Sequence, residues 1–371
     1  MRSSVVFGSG VTSMSGILTI SICYLLISIS SWPCFAWDGQ NRQVTLQDLL
    51  PHLMDMEAYG EQWSFDNEIG ENQHISFQIV ISNLGIGDHK AEYKVWFKGT
   101  PNNQTYKNGS CKLKSGISNV SGRRMASLQC GPLKILEDLK GAIATFSSKE
   151  LSFYVKINSC SPPWRPGSGR VRLGKGQKFY DLLIQVPRGT MTGTVITRKN
   201  KLAVSGVSFA DHSITTVIID LAKSCIKFKK LSPEYNLVFV SFNPPEADRF
   251  SYLLAADAKC RLFESPNPRL EIISSFPTPN RKKYKVPSKF EITADDSDAG
   301  SIIINIFKGH IKKIKDMLAS LNSVERFVAR RYSDPFVYYM TGLFRVTWKK
   351  DDRTILSFEH ENPYTVEHYN P

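Results

Sequence analysis

Apolar and polar residues alternate with a period of two along most of the chain, the signature of strands with one buried face. Ile75, Phe77, Ile79 and Ile81 follow it, as do Tyr93, Val95 and Phe97, and then Leu151, Phe153, Val155 and Ile157. It returns at Phe250, Tyr252 and Leu254, at Phe290 and Ile292, at Ile302, Ile304 and Ile306, and at Phe344, Val346 and Trp348. Turn-forming clusters separate these runs: Gly85 to Asp88, Asn102-Asn103, Pro162-Pro163, Pro244-Pro245, Asp295-Asp296 and Lys350 to Asp352. Short alternating runs between frequent turns predict an all-β chain folded as two barrels or sandwiches, each sheet with one dry and one wet face. Phe336, Tyr338 and Met340 against Val337 and Tyr339 read as a strand apolar on both sides, suited to the contact between the two bodies.

Helical patterns are few. Thr45 to Met56 has a capped start, Thr45 with Asp48 three residues on, and is interrupted by Pro51. In 311–332, Ile311, Ile314, Leu318 and Leu321 fall on one helical face, and Lys312, Lys313 and Lys315 on the other, with Arg330 and Arg331 further on. The plain reading is helices on a barrel wall with a solvated basic side; the sharper one is a basic face lying on anionic lipid.

Residues 1–36 change the picture more than any motif. Arg2 is the only charged residue there, Ile17 to Ile29 is an apolar run, and Cys34-Phe35-Ala36 ends in a small residue. The pattern predicts a secretory signal peptide cleaved after Ala36, with an uncleaved N-terminal membrane anchor as the alternative. Either way the remainder is expected outside the cytosol, secreted or periplasmic. The whole chain has 371 residues and a formal charge of +13, and loss of residues 1–36 leaves +12. The remaining cysteines are Cys111, Cys130, Cys160, Cys225 and Cys260. Their odd number and wide spacing predict one bridge, Cys111 and Cys130 being the nearest pair, at least one thiol, and no structural metal. Asn103, Asn108 and Asn119 begin N-x-[ST] sequons, which places residues 98–125 at the surface and makes them glycan acceptors if the pathway is eukaryotic.

Motif chemistry is sparse. The chain has no G-x-S-x-G, H-E-x-x-H or EF-hand loop, and Gly174-Lys175-Gly176 lacks Walker spacing. Basic residues occur without interleaved aromatics, which sets nucleic acid aside. No cofactor is expected.

Two segments stand out: Glu61-Gln62-Trp63-Ser64-Phe65-Asp66 with the run from Ile75 to Phe97, and Pro187 to Val195 followed by Gly206 to Asp211-His212. In order and spacing they resemble the tandem lipocalin-like superfamily that includes survival-factor-type lipid-binding proteins and carotenoid 1,2-hydratases (hydroxyneurosporene synthases). Tyr284 to Ile292, Pro335-Phe336 and the strands up to Pro371 are similar too, so the resemblance spans most of the chain after residue 36. It implies two lipocalin-like antiparallel β-barrels in tandem with a few short helices, one over 37–187 and one over 188–371, the latter including 311–332. It also implies a hollow for an apolar sphingolipid, fatty acid or isoprenoid.

Asp211 and His212 are then the pair to weigh, as an imidazole oriented by a carboxylate at a barrel mouth. The family's enzymes often carry a Trp just after this dyad, where this chain has Ser213-Ile214-Thr215-Thr216, which counts against catalysis. Trp63 and Phe65 share one strand face and, with Phe209, are candidate ligand contacts. The expectation is an exported lipid or isoprenoid carrier, leaning away from an enzyme. The alternative is a hydratase, isomerase or cyclase with Asp211 or His212 as proton donor.

Overall fold

The computed structural model describes Trp37 and residues 42–369, apart from 57, 71–72, 84–88, 101–102, 174–177, 218–221, 244–248, 282, 320–325, 328–329 and 331–332. The expected signal peptide, the turns at 85–88 and 244–245, Gly174 to Gly176 and Arg331 lie outside the described residues. The strands are β1 (Gly60–Gly70), β2 (Gln73–Ser82), β3 (Lys90–Thr100), β4 (Asn103–Cys111), β5 (Lys114–Val120), β6 (Arg123–Cys130) and β7 (Leu133–Asp138). Next come β8 (Gly141–Ser147), β9 (Leu151–Ser159), β10 (Arg170–Arg172), β11 (Phe179–Thr197), β12 (Lys201–Thr215), β13 (Ser224–Leu231) and β14 (Tyr235–Asn243). The last are β15 (Phe250–Asp257), β16 (Leu262–Ser265), β17 (Arg269–Pro277), β18 (Lys285–Asp296), β19 (Gly300–Asp316), β20 (Phe336–Lys350) and β21 (Arg353–His368).

These make two curled antiparallel sheets, as two tandem lipocalin-like barrels require. The first runs β4-β3-β2-β1-β12-β11-β9-β8-β7-β6-β5 with β10 on β11; the second runs β16-β15-β14-β13-β21-β20-β19-β18-β17. In both, a late strand returns to pair with the first strand of its sheet: β12 with β1, and β21 with β13. The sheets therefore divide between Thr215 and Ser224; the division expected at 187/188 falls inside β11.

Period two does what the sequence promised. Ile75, Phe77, Ile79 and Ile81 of β2 all point into the first sheet's hollow, where Phe65 stacks on Phe77 with centroids 4.9 Å apart. Phe239, Phe290, Tyr338 and Trp348 fill the second interior. The exception to one dry and one wet face is the seam between the sheets. Every residue of β15 is buried. Leu253 and Ala255 face the second interior, while Phe250, Tyr252 and Leu254 pack against Tyr180, Leu182, Ile184 and Phe209 from β11 and β12. Phe336, Tyr338 and Met340, expected at that seam, instead belong to the second interior, and Tyr339 is partly exposed.

The expected helix over 311–332 is the largest correction. Ile311 to Asp316 continues β19, and of the residues beyond only Arg326 and Phe327 are described as helical. A β-bulge between Ile311 and Lys313 explains the misreading: the extra residue lets Ile311 and Ile314, three apart, both pack on the second core from a strand. Lys312, Lys313 and Lys315 are exposed on that strand. Arg330 pairs with Asp316 at 2.7 Å and with Asp334 at 3.4 Å. At the other end, Thr45 does cap a turn, a single 3-10 turn at Leu46–Leu49, its amide and hydroxyl both donating to Asp48.

Two disulfides are present, Cys111–Cys130 and Cys160–Cys260, with Cys225 a buried thiol. The first, as expected, ties β4 at one edge of the first sheet to β6 near the other. The second joins one sheet to the other and had no signal in the spacing. Such bridges mark an oxidising compartment. Among the described residues no helix is long and apolar enough to cross a membrane.

Candidate active site

Antiparallel register decides where each candidate side chain goes. Trp63 is paired with His212 and Ser64 with Asp211 across β1 and β12, and directly paired residues share a face. Glu61, Trp63, Phe65 and His212 therefore point into the first hollow, and Ser64, Asp66, Phe209 and Asp211 point out of it, toward the second sheet. Asp211 and His212 do not form a dyad. They face two different cavities on opposite faces of one strand.

On the inner face His212 is nearly inaccessible and lies flat on Trp63, with ring centroids 4.4 Å apart. Its Nε2 meets Glu61 Oε1 at 2.7 Å and its Nδ1 meets the carbonyl of Asp48 at 3.1 Å. Glu61, fully buried, also receives the amide of His52, the His52 Nδ1 at 3.2 Å and the Tyr59 hydroxyl. Burial alone would raise the Glu61 carboxyl, but these donors outweigh it and hold its pKa at about 2. Burial and the Glu61 charge push the Tyr59 phenol up. A cavity of about 490 Å³ reaches this cluster, lined by His52, His212, Asp48 and Arg165 among others. The Arg165 guanidinium holds Asp48 at 2.8 Å. Trp63 and Phe65, candidate ligand contacts, are fully buried core residues of the first hollow.

On the outer face a cleft of about 450 Å³ opens between the sheets. Asp66, Asp211 and Lys229 line it beside Tyr180, Phe228, Phe242 and Tyr252. The Lys229 ammonium lies 2.5 Å from Asp66 and 3.6 Å from Asp211, and 4.5 Å above the centroid of the Phe209 ring, which is packed in the core between the sheets. Burial opposes ionisation of both carboxyls. For Asp66 it is outweighed by Lys229 and by His74, 3.7 Å away, so this carboxyl falls below its ordinary value. For Asp211 burial and the neighbouring Asp66 charge win over Lys229, so this one rises. One ammonium serves two largely buried carboxylates unequally, so their proton affinities are pushed apart, with Asp211 holding a proton more tightly than Asp66. Phe209 and Asp211 were singled out from the sequence. Lys229 and Asp66 were not, because β13 and β1 meet only through the packing of two sheets.

No protein-family model matches the chain, and no curated protein matches it in sequence. Solved structures match it in fold. An AttH-type protein from Nitrosomonas europaea is 12% identical, with a TM-score of 0.51 over 90% of this chain and 98% of its own. CghA, solved with Sch210972, is 8% identical, with a TM-score of 0.53 over 92% of this chain and 97% of its own. Kievitone hydratase from Nectria haematococca is 10% identical over 90% and 98%, at a TM-score of 0.46.

Proposed function

We propose that this chain is an exported enzyme that protonates a carbon–carbon double bond of an apolar, isoprenoid- or polyene-like substrate held in the cleft between its two sheets. What supports the reading is the split carboxylate pair: Lys229 lies 2.5 Å from Asp66 and lowers its pKa, while Asp211, 3.6 Å from the same ammonium, has its pKa raised, and both share a wall with aromatic rings. Asp211 would give its proton to one alkene carbon. The cation left on the other carbon faces the rings of Phe228, Phe242 and Tyr252, whose π-faces attract positive charge. Water addition then gives an alcohol, and the proton released from that water returns to the Asp211 carboxylate; loss of a neighbouring C–H proton to the same carboxylate instead gives an isomer. Lys229 and Asp66 fix the pair's net charge so that the proton has one place to go.

The carrier reading has less support, because Trp63, Phe65 and Phe77 occupy the first hollow as packed core. The aromatic-walled cleft lies outside that packing, between the sheets, and the cavity of about 490 Å³ reaches only its rim at His212 and Ile214. That CghA, with the same fold, was solved with Sch210972 agrees with a ligand-binding role for the architecture.

The test is incubation with a panel of apolar alkenes in D₂O, with mass spectrometry of deuterium placed on carbon. Wild type is expected to deuterate at least one member, Asp211→Asn to lose roughly 100-fold or more, and Asp211→Glu to recover part of it. Uptake of the panel without any exchange would return the chain to the carrier role, and undiminished exchange by Asp211→Asn would sink the assignment.

A further inference from the structure

On the other face of β12, the geometry points to a divalent transition-metal site made by His52, Glu61 and His212. One ligand atom from each lies within 4.8 Å of the other two, and Glu61 Oε1 is 3.2 Å from His52 Nδ1 and 2.7 Å from His212 Nε2. Two imidazoles and one carboxylate suit a four-coordinate zinc-type ion with one position left open.

The surroundings prepare each donor. His212 Nδ1 faces a carbonyl, that of Asp48 at 3.1 Å, so this nitrogen carries a hydrogen and Nε2 is the atom left to ligate. The carbonyl is itself held, since Asp48 begins no free loop but sits in the capped turn Leu46–Leu49, gripped by Thr45 and Arg165. Trp63, stacked on His212, fixes the plane of the ring. The Tyr59 hydroxyl bonds Glu61 Oε2, while Oε1 is the oxygen that meets both imidazoles, so the carboxylate would bind through one atom. The cavity of about 490 Å³ touches His52 and His212 and gives the open position a way to solvent and to a small anionic or neutral ligand. Without metal, a proton between His212 and Glu61 bridges the same two atoms; the cation takes its place and that proton leaves with solvent.

No motif shows this, because the three residues come from the segment before β1, from β1 and from β12, with 160 positions from the first to the last.

The full secreted chain, stripped with chelator, is titrated with Co²⁺ and then with Zn²⁺. One cobalt per chain with visible bands of a four- or five-coordinate ion, displaced by one zinc, is expected. His52 is partly exposed, so His52→Ala should fold and weaken zinc binding by roughly 100-fold. Tyr59→Phe keeps all three ligands, and about a tenfold loss is expected from it. Asp211→Asn should leave the cobalt spectrum unchanged, which separates this site from the cleft. Absence of a stoichiometric cobalt spectrum in wild type, or the wild-type spectrum and affinity in His52→Ala, overturns the site.

Discussion

Two neighbouring residues, Asp211 and His212, show how a strand sends side chains that adjoin in sequence into separate surroundings. Because successive side chains leave opposite faces, adjacency in sequence forbids them from acting as one pair. The same residue-scale logic operates at Glu264 on β16. Burial first, and the charge of Asp296 at the end of β18 second, push its carboxyl up to about 7 from an ordinary 4.5. β16, at one edge of the second sheet, comes into contact with β18, the strand next to the other edge. A carboxyl raised in the folded state stabilises that state fully below about pH 4.5, and the contribution disappears as pH rises through 7. Glu264→Gln should therefore raise the melting temperature at pH 8 and leave it unchanged at pH 4. The limit is about 3 kcal/mol, less where solvent screens the pair. Paired thermal melts across that range check it, and a gain of equal size at both values would contradict the charge argument.

At the scale of elements, glycines mark where strands come too close for a side chain. A Cβ on Gly206 would lie 1.9 Å from the carbonyl oxygen of Glu68, and one on Gly193 would lie 2.1 Å from that of Tyr154. Both obstacles are backbone, which cannot swing aside. Gly206→Ala should cost about 1–3 kcal/mol, read as a lower denaturant midpoint at unchanged slope, by forcing β12 away from the end of β1. These two glycines also belong to the segments that carried the resemblance, so part of it is the steric demand of seating β11 against β9 and β12 against β1. Most strands were legible because Ile75 to Ile81 or Ile302 to Ile306 need only their own alternation to choose a face. The stretch after Ile311 was not, since a bulge turns a strand's period of two into a local spacing of three that imitates a helix. The inner and outer clusters were half legible: direction at Trp63, Asp211 and His212 follows from period two, whereas Glu61, His52, Lys229 and Asp66 become partners only through register and sheet packing.

At the scale of the whole molecule, the proposed cleft has meaning only if the two sheets keep their relation. Trp37 wedges into the seam, edge-on to Phe250 and donating its indole N–H to the carbonyl of Ser251. The buried Arg188 of β11 reaches the Ser232 and Pro233 carbonyls and the Asn236 side chain of the second sheet, and Asn236 answers by donating to the carbonyls of Pro187 and Ser208. Lys229 of β13 ends on Asp66 of β1. Cys160–Cys260 adds a covalent link between positions 100 apart in sequence. A loop of that length restricts the unfolded chain by up to about 4–5 kcal/mol in the chain-entropy account. The non-covalent contacts hold the seam in the folded state, so Cys160→Ser with Cys260→Ser should lower the melting temperature while leaving the strand content of the folded protein unchanged. It should also preserve any turnover dependent on Asp211, because the mutated bridge lies away from the Asp211 cleft. Circular dichroism melts and the deuterium assay on the same preparation would test both halves. If turnover fell with the fold intact, the bridge rather than the buried polar contacts would be what aligns the two walls of the cleft.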